Sequence, residues 1–199
     1  MNTLPKYFII AFGWLVVLYP LWVRFENMSW SPGMSIFGAL FPFFGLLAFS
    51  LLWLHAMAGV FEPWLRKHIN FDSFVHHTSL VILISIIAHP ILLLVSLKFK
   101  IGNIFLIYDP LYIWLAIIGW LLLITYDIVK PLRKYEFFAK HWQNVLTVST
   151  IGFLITFFHS LKLGSDLQTN PLRAVWIFYG VTAILATIYT YGIKRFLLK

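Results

Sequence analysis

The sequence predicts an all-α, polytopic membrane protein: a six-transmembrane-helix bundle with both termini in the cytoplasm. Three observations predict it. Hydrophobic residues make up 61% of the 199 positions and charged residues only 11%. The mean hydropathy is +0.86, far from what a soluble domain's polar surface allows. The apolar residues fall into six runs, each long enough to cross a hydrocarbon core about 30 Å thick as a helix of roughly 17–25 residues. None of these runs alternates as a barrel strand does.

The runs follow one another with clear punctuation. The first covers about 7–23 and ends at Arg24 and Glu26. It follows Lys6 but lacks a small-residue cleavage site, so it reads as a retained span and not a signal peptide. The second covers about 35–60, between the turn-forming Ser31-Pro32-Gly33 and Glu62-Pro63. The third, about 74–97, closes on Lys98 and Lys100, and the fourth, about 110–126, lies between Asp109 and Asp127. The fifth covers about 142–161 and the sixth about 174–193. No soluble domain or low-complexity tract interrupts them, and residues 1–199 read as a single domain.

Basic residues set the expected topology. With the N-terminus on one side, that side carries Lys6, Arg66, Lys67, Lys130, Arg133, Lys134, Lys140, Lys194, Arg195 and Lys199. The other side carries Arg24, Lys98, Lys100, Lys162 and Arg173. The positive-inside bias assigns the first side to the cytoplasm of a cytoplasmic (inner) membrane. The formal charge of +8 is therefore explained by topology, and no nucleic-acid partner is expected. Trp22, Trp30, Trp64, Trp142, Tyr108 and Tyr191 stand at span ends, as interfacial aromatic residues do. Cysteine is absent, which excludes disulfides and thiolate-bound metal, so any metal chemistry rests on His, Met or carboxylates.

Histidine carries the functional expectation. The stretch from Phe71 to Leu97 holds His76 and His77 near its start and His89 further along, followed by Pro90. The span before Leu163 holds His141 and His159. Ionisable groups within spans are costly and default to a functional hypothesis. Two spans with histidine at two levels suit bis-histidine ligation of heme, one or two per chain. His76 and His89 are about 20 Å apart along a helix, but thirteen steps of 100° place them about 140° apart in rotation. His141 and His159 are about 27 Å apart and return to one face. The two spans thus agree on two levels but not on one spacing. Pro90 loosens the helix beside His89 and helps aim the imidazole. His68 reads as an interfacial residue, and His55 as a contact to a cofactor or a polar partner, or as an ordinary span-end residue. Lys130, Arg133, Lys134 and Lys140 read mainly as topological charge, with attraction for an acidic partner or heme propionates as the other option.

Three segments carry a family resemblance: FDSFVHHTSLVILISIIAHP, KYEFFAKHW and FLITFFHSL. They resemble the ferric reductase-like transmembrane domain, which includes ferric reductases, NADPH oxidases and the heme-b subunit serving a periplasmic methionine sulfoxide reductase. The first matches that family's third span, with His, 13 or 14 apolar residues, then His, often with Pro after it. Tyr135-Glu136 matches the Tyr-Glu pair that precedes its second histidine-bearing helix. The resemblance implies b-type heme ligated by His76 or His77, His89, His141 and His159. It also implies electron flow from a cytoplasmic flavin reductase or quinol to an outer-side redox partner, the flavin residing on the partner. Two departures stand out. Leu146 and Val145 occupy the places 13 and 14 before His159, so that His159 comes about one turn late. The flavin and nicotinamide domain of larger members is missing, so the chain is expected to be either a stand-alone subunit or a membrane fragment. The alternatives are a non-redox transporter or assembly subunit using its histidines for protons or metal ions, and a family member that has lost its heme.

Overall fold

The structure is a computed structural model describing residues 4–28, 35–169 and 171–194. Trp30, the Ser31-Pro32-Gly33 turn, Arg195 and Lys199 lie outside these described residues. Among them every regular element is helical, and six helices are long and apolar enough to cross a membrane. The protein is a multi-pass membrane protein.

α1 spans Leu4–Glu26 and α2 spans Ile36–Val60, with Pro20 and Pro42 in their interiors. Ser35 caps α2 by accepting from the Phe37 amide. The chain then turns through α3 (Glu62–Leu65), where Pro63 sits at the helix start, into α4 (Phe71–Ser96). Asn70 caps α4 by accepting from the Ser73 amide at 3.1 Å. Arg66 ties this turn together, contacting Glu62 at 2.8 Å and Asp72 at 2.9 Å. These carboxylates hold its guanidinium above the ordinary value.

After α4 the backbone takes left-handed conformations at Lys98 and Phe99 and enters α5 (Gly102–Ile107). α6 (Pro110–Val129) starts on Pro110, with Asp109 accepting from the Leu111 amide. It passes into a 3-10 turn at Lys130–Lys134, then α7 (Glu136–Lys140) and α8 (Trp142–Leu163). α9 (Leu172–Thr187) runs into a π-helical segment, Ile188–Ile193. The expected spans at 35–60, 142–161 and 174–193 thus match α2, α8 and α9 with its π segment closely. The first span is longer at both ends than the sequence suggests, because charged and polar end residues such as Lys6 and Glu26 remain helical when their heads can reach water.

The chain divides into two compact units, one reaching to Ser96 and resuming at Val181, the other covering Leu97–Gly180. In the first unit α2 packs mainly on α4, and α1 on α2. Small residues set the fit between α2 and α4. A methyl group at Gly38 would meet Ser96 at 3.7 Å, and one at Gly45 would meet the His89 ring at 2.9 Å. Gly38 and Gly45 are seven residues apart on one helix, as are His89 and Ser96 on the other, so each pair shares a face of its antiparallel helix. The Trp53 indole donates to Thr182 at 2.7 Å, joining α2 to the later part of α9. Arg24, at the end of α1, donates to the Ala39 carbonyl at 3.0 Å, one turn before Pro42.

In the second unit α6 and α8 form the main pair, and their backbones come very close. A methyl group on Gly152 would lie 2.5 Å from the Leu123 amide nitrogen and 2.7 Å from the Gly119 carbonyl. Such approaches at small residues are what hold apolar helices together when lipid and side chain are equally oily. Ser149 adds a hydrogen bond to the Leu123 carbonyl at 2.9 Å.

Candidate functional site

α4 presents two different faces. Leu80, Ile84, Ile87 and Ile91 are exposed and recur at steps of three and four, forming an outward stripe. Ile82, Ser85 and Ile86 are buried, and half-buried His89 continues their face toward α2. His76 is exposed and lies one turn before Leu80 on the outward stripe. The rotation expected from thirteen helical steps is therefore realised: His76 and His89 do not share a face.

His89 is held by its neighbour. Its Nδ1 lies 2.7 Å from the Phe41 carbonyl on α2. A carbonyl only accepts, so Nδ1 carries the proton and Nε2 keeps its lone pair. The approach depends on Gly45. Residue 45 stands one helical turn after Phe41, where a side chain would cover that carbonyl, and its missing Cβ leaves the space the imidazole fills. The Phe41 ring flanks the imidazole, with ring centres 5.5 Å apart.

His159 repeats the device in the other unit. Its Nδ1 lies 3.0 Å from the Tyr112 carbonyl on α6, which again assigns the proton to Nδ1. The residue one turn after Tyr112 is Ala116, also small. The surrounding turn is fixed against α9. The indole of fully buried Trp176 donates to Ser160 at 2.8 Å, and the Phe157 ring lies directly on Gly180.

The remaining histidines are held by their own segments. His141 sits between α7 and α8 with φ −98° and ψ 13°, and its Nδ1 lies 2.8 Å from the Phe137 carbonyl. An irregular turn therefore occurs where this histidine enters the span. His77 donates from Nδ1 to the Ser73 carbonyl at 2.7 Å. His76 makes no hydrogen bond to the described residues and meets His77 edge-on at 5.3 Å. His68 packs against the Trp64 ring, with centres 4.7 Å apart, and bonds the Trp64 carbonyl at 2.9 Å.

His55 is wired the other way. Its Nε2 is 2.6 Å from the Thr78 hydroxyl, whose proton goes to the Phe74 carbonyl at 2.6 Å. The ring thus donates from Nε2, unlike the five candidate-ligand and interfacial rings that bond a carbonyl through Nδ1. Between this contact and His89, the hydroxyls of Ser50 on α2 and Ser85 on α4 are buried with no hydrogen-bond partner among the described residues.

An imidazole whose Nδ1–H is fixed to a carbonyl is oriented and made more basic at Nε2, the usual support of a metal-ligating histidine. His89 and His159 have that support from a neighbouring helix. An imidazole so held could ligate a heme iron through Nε2. No group of three or more His, Cys, Asp or Glu suited to a bare metal ion is found among the described residues. The sequence did not reveal Phe41 and Tyr112 as partners, because they act through backbone atoms. Gly45 carried a faint signal, its seven-residue spacing from Gly38. Compared with protein-family models, with curated proteins and with solved structures, the chain matches none.

Proposed function

We propose that this protein is a b-type heme-binding subunit of the cytoplasmic membrane, carrying electrons from a reductant on one face to an acceptor on the other. The observation that carries the reading is the shared state of His89 and His159. Each donates Nδ1–H to a carbonyl on the adjacent helix of its own unit, leaving Nε2 as the basic nitrogen. The residues that would hold heme are these two, with His141 and His76 or His77 as the candidates for a second. The bound heme supplies a one-electron redox couple. The chain's own residues hold the His89 and His159 rings in one tautomer and fix their direction. The resemblance of the histidine-bearing segments to the ferric reductase-like domain supports the same reading, with a flavin reductase or quinol as donor.

A dithionite-reduced minus oxidised spectrum of the protein, expressed with ample heme, tests it. A b-type α-band is expected, and His89→Ala and His159→Ala are each expected to abolish the same component. Absence of the band sinks the electron-transfer reading in favour of proton or metal-ion binding at the histidines.

A further inference from the structure

We propose that the basic, aromatic connection from α6 to α8 binds the phosphate of an anionic phospholipid headgroup. Lys130, Arg133, Lys134 and Lys140 are all exposed in this connection. The backbone groups two of them. Residues 130–134 form a 3-10 turn, in which side chains three apart eclipse, so Lys130 and Arg133 project to one side. Both rest on rings: the Lys130 ammonium is 5.5 Å from the Tyr126 ring centre, and the Arg133 guanidinium carbon is 4.9 Å from that of Trp142. Tyr126 lies in the last turn of α6 and Trp142 in the first turn of α8, with ring centres 5.6 Å apart.

Two like charges are thus held over neighbouring rings where two spans end. Their repulsion disfavours the arrangement, and an anion seated against both offsets it. Tyr and Trp at span ends favour the headgroup layer, which is where lipid phosphates lie. Lys134, over the Tyr135 ring at 5.3 Å, and Lys140 extend the positive field, while Glu136 and Asp127 are the carboxylates that oppose it. Phe137, 66% exposed, adds an apolar contact beside the charges. That mixture, continuous with two span ends, suits a lipid better than an acidic protein, whose surface offers no acyl chain.

Native mass spectrometry of the purified full chain tests this, titrating short-chain phosphatidylglycerol against phosphatidylcholine. Phosphatidylglycerol is expected to bind about fivefold better, and the double variant Lys130→Gln/Arg133→Gln is expected to lose that preference. Arg133→Lys, which keeps the charge, is expected to retain it. Lys98→Gln/Lys100→Gln removes equal charge from the connection between α4 and α5 and is expected to leave the preference intact. Equal loss in both double variants overturns the proposal, since only bulk charge then matters. Equal binding of the two lipids also overturns it. Displacement by equimolar inorganic phosphate assigns the site to the free ion, and displacement by polyglutamate assigns it to an acidic protein; either result overturns the lipid.

Discussion

The Nδ1–H of His89 reaches the Phe41 carbonyl, 2.7 Å away on α2, through the gap left by Gly45. The contact joins three features that the sequence presents separately: a histidine within a span, a proline-containing helix and a glycine. A methyl group at position 45 would stand 2.9 Å from two atoms of the imidazole, closer than side-chain carbons pack.

Gly45→Ala is therefore expected to displace the ring, costing about 1–3 kcal/mol as an overpacked site does. A lower unfolding midpoint in detergent and a reduced heme-to-protein ratio by pyridine hemochrome assay are the two readouts. Gly59→Ala is the control, because a Cβ there meets nothing within 4 Å. Equal behaviour of the two variants would show that His89 does not depend on this gap.

The choice between His76 and His77 becomes a measurable difference. Both are exposed on the outward side of α4, but His77 is oriented by the Ser73 carbonyl at 2.7 Å, whereas His76 makes no hydrogen bond to the described residues. In a preparation holding two hemes, His77→Ala is expected to remove one spectral component and His76→Ala to spare both. Redox titration of each variant resolves the components; loss on His76→Ala alone reverses the assignment.

Gly152→Ala is expected to destabilise the protein by about 3 kcal/mol or more, because the new methyl group meets backbone that cannot rotate away. Gly119→Ala meets mainly the side chains of Thr156 and Ile155 at 3.0–3.1 Å and is expected to cost less. Thermal unfolding of both variants in the same detergent gives the ranking.

Thr182→Val keeps the shape of the side chain and removes the acceptor of the Trp53 indole. A loss of about 0.5–1.5 kcal/mol is expected, the usual worth of such a bond. An unchanged midpoint would mean that the indole finds another acceptor at no cost.

The six spans were legible because each is a long apolar run closed by charge, proline or turn residues. Their facing was not. Apolar residues surround α2, α4 and α8 on every side, so periodicity does not mark which side packs and which meets lipid. The 140° rotation between His76 and His89 was nevertheless readable from helical geometry, and the outward stripe through Leu80 and Ile84 carries His76 as that rotation requires. Residue type alone marks the histidines as candidates. Their support was not, since carbonyls of Phe41 and Tyr112 are common to every residue, and only packing selects which of them an imidazole reaches. His55 shows the same limit: nothing in its sequence neighbourhood announces that Thr78, on another helix, reverses its tautomer.

The paired contacts of Gly38 with Ser96 and Gly45 with His89 have a consequence for depth. Two notches spaced by two helical turns accept two side chains of matching spacing, and α4 cannot slide along α2 without leaving both. A slip of one turn is about 5.4 Å and would drive the imidazole against a filled part of the groove. The notches thus act as a vernier, gauging the level at which the imidazole stands along α2, and that level follows from where two glycines were placed.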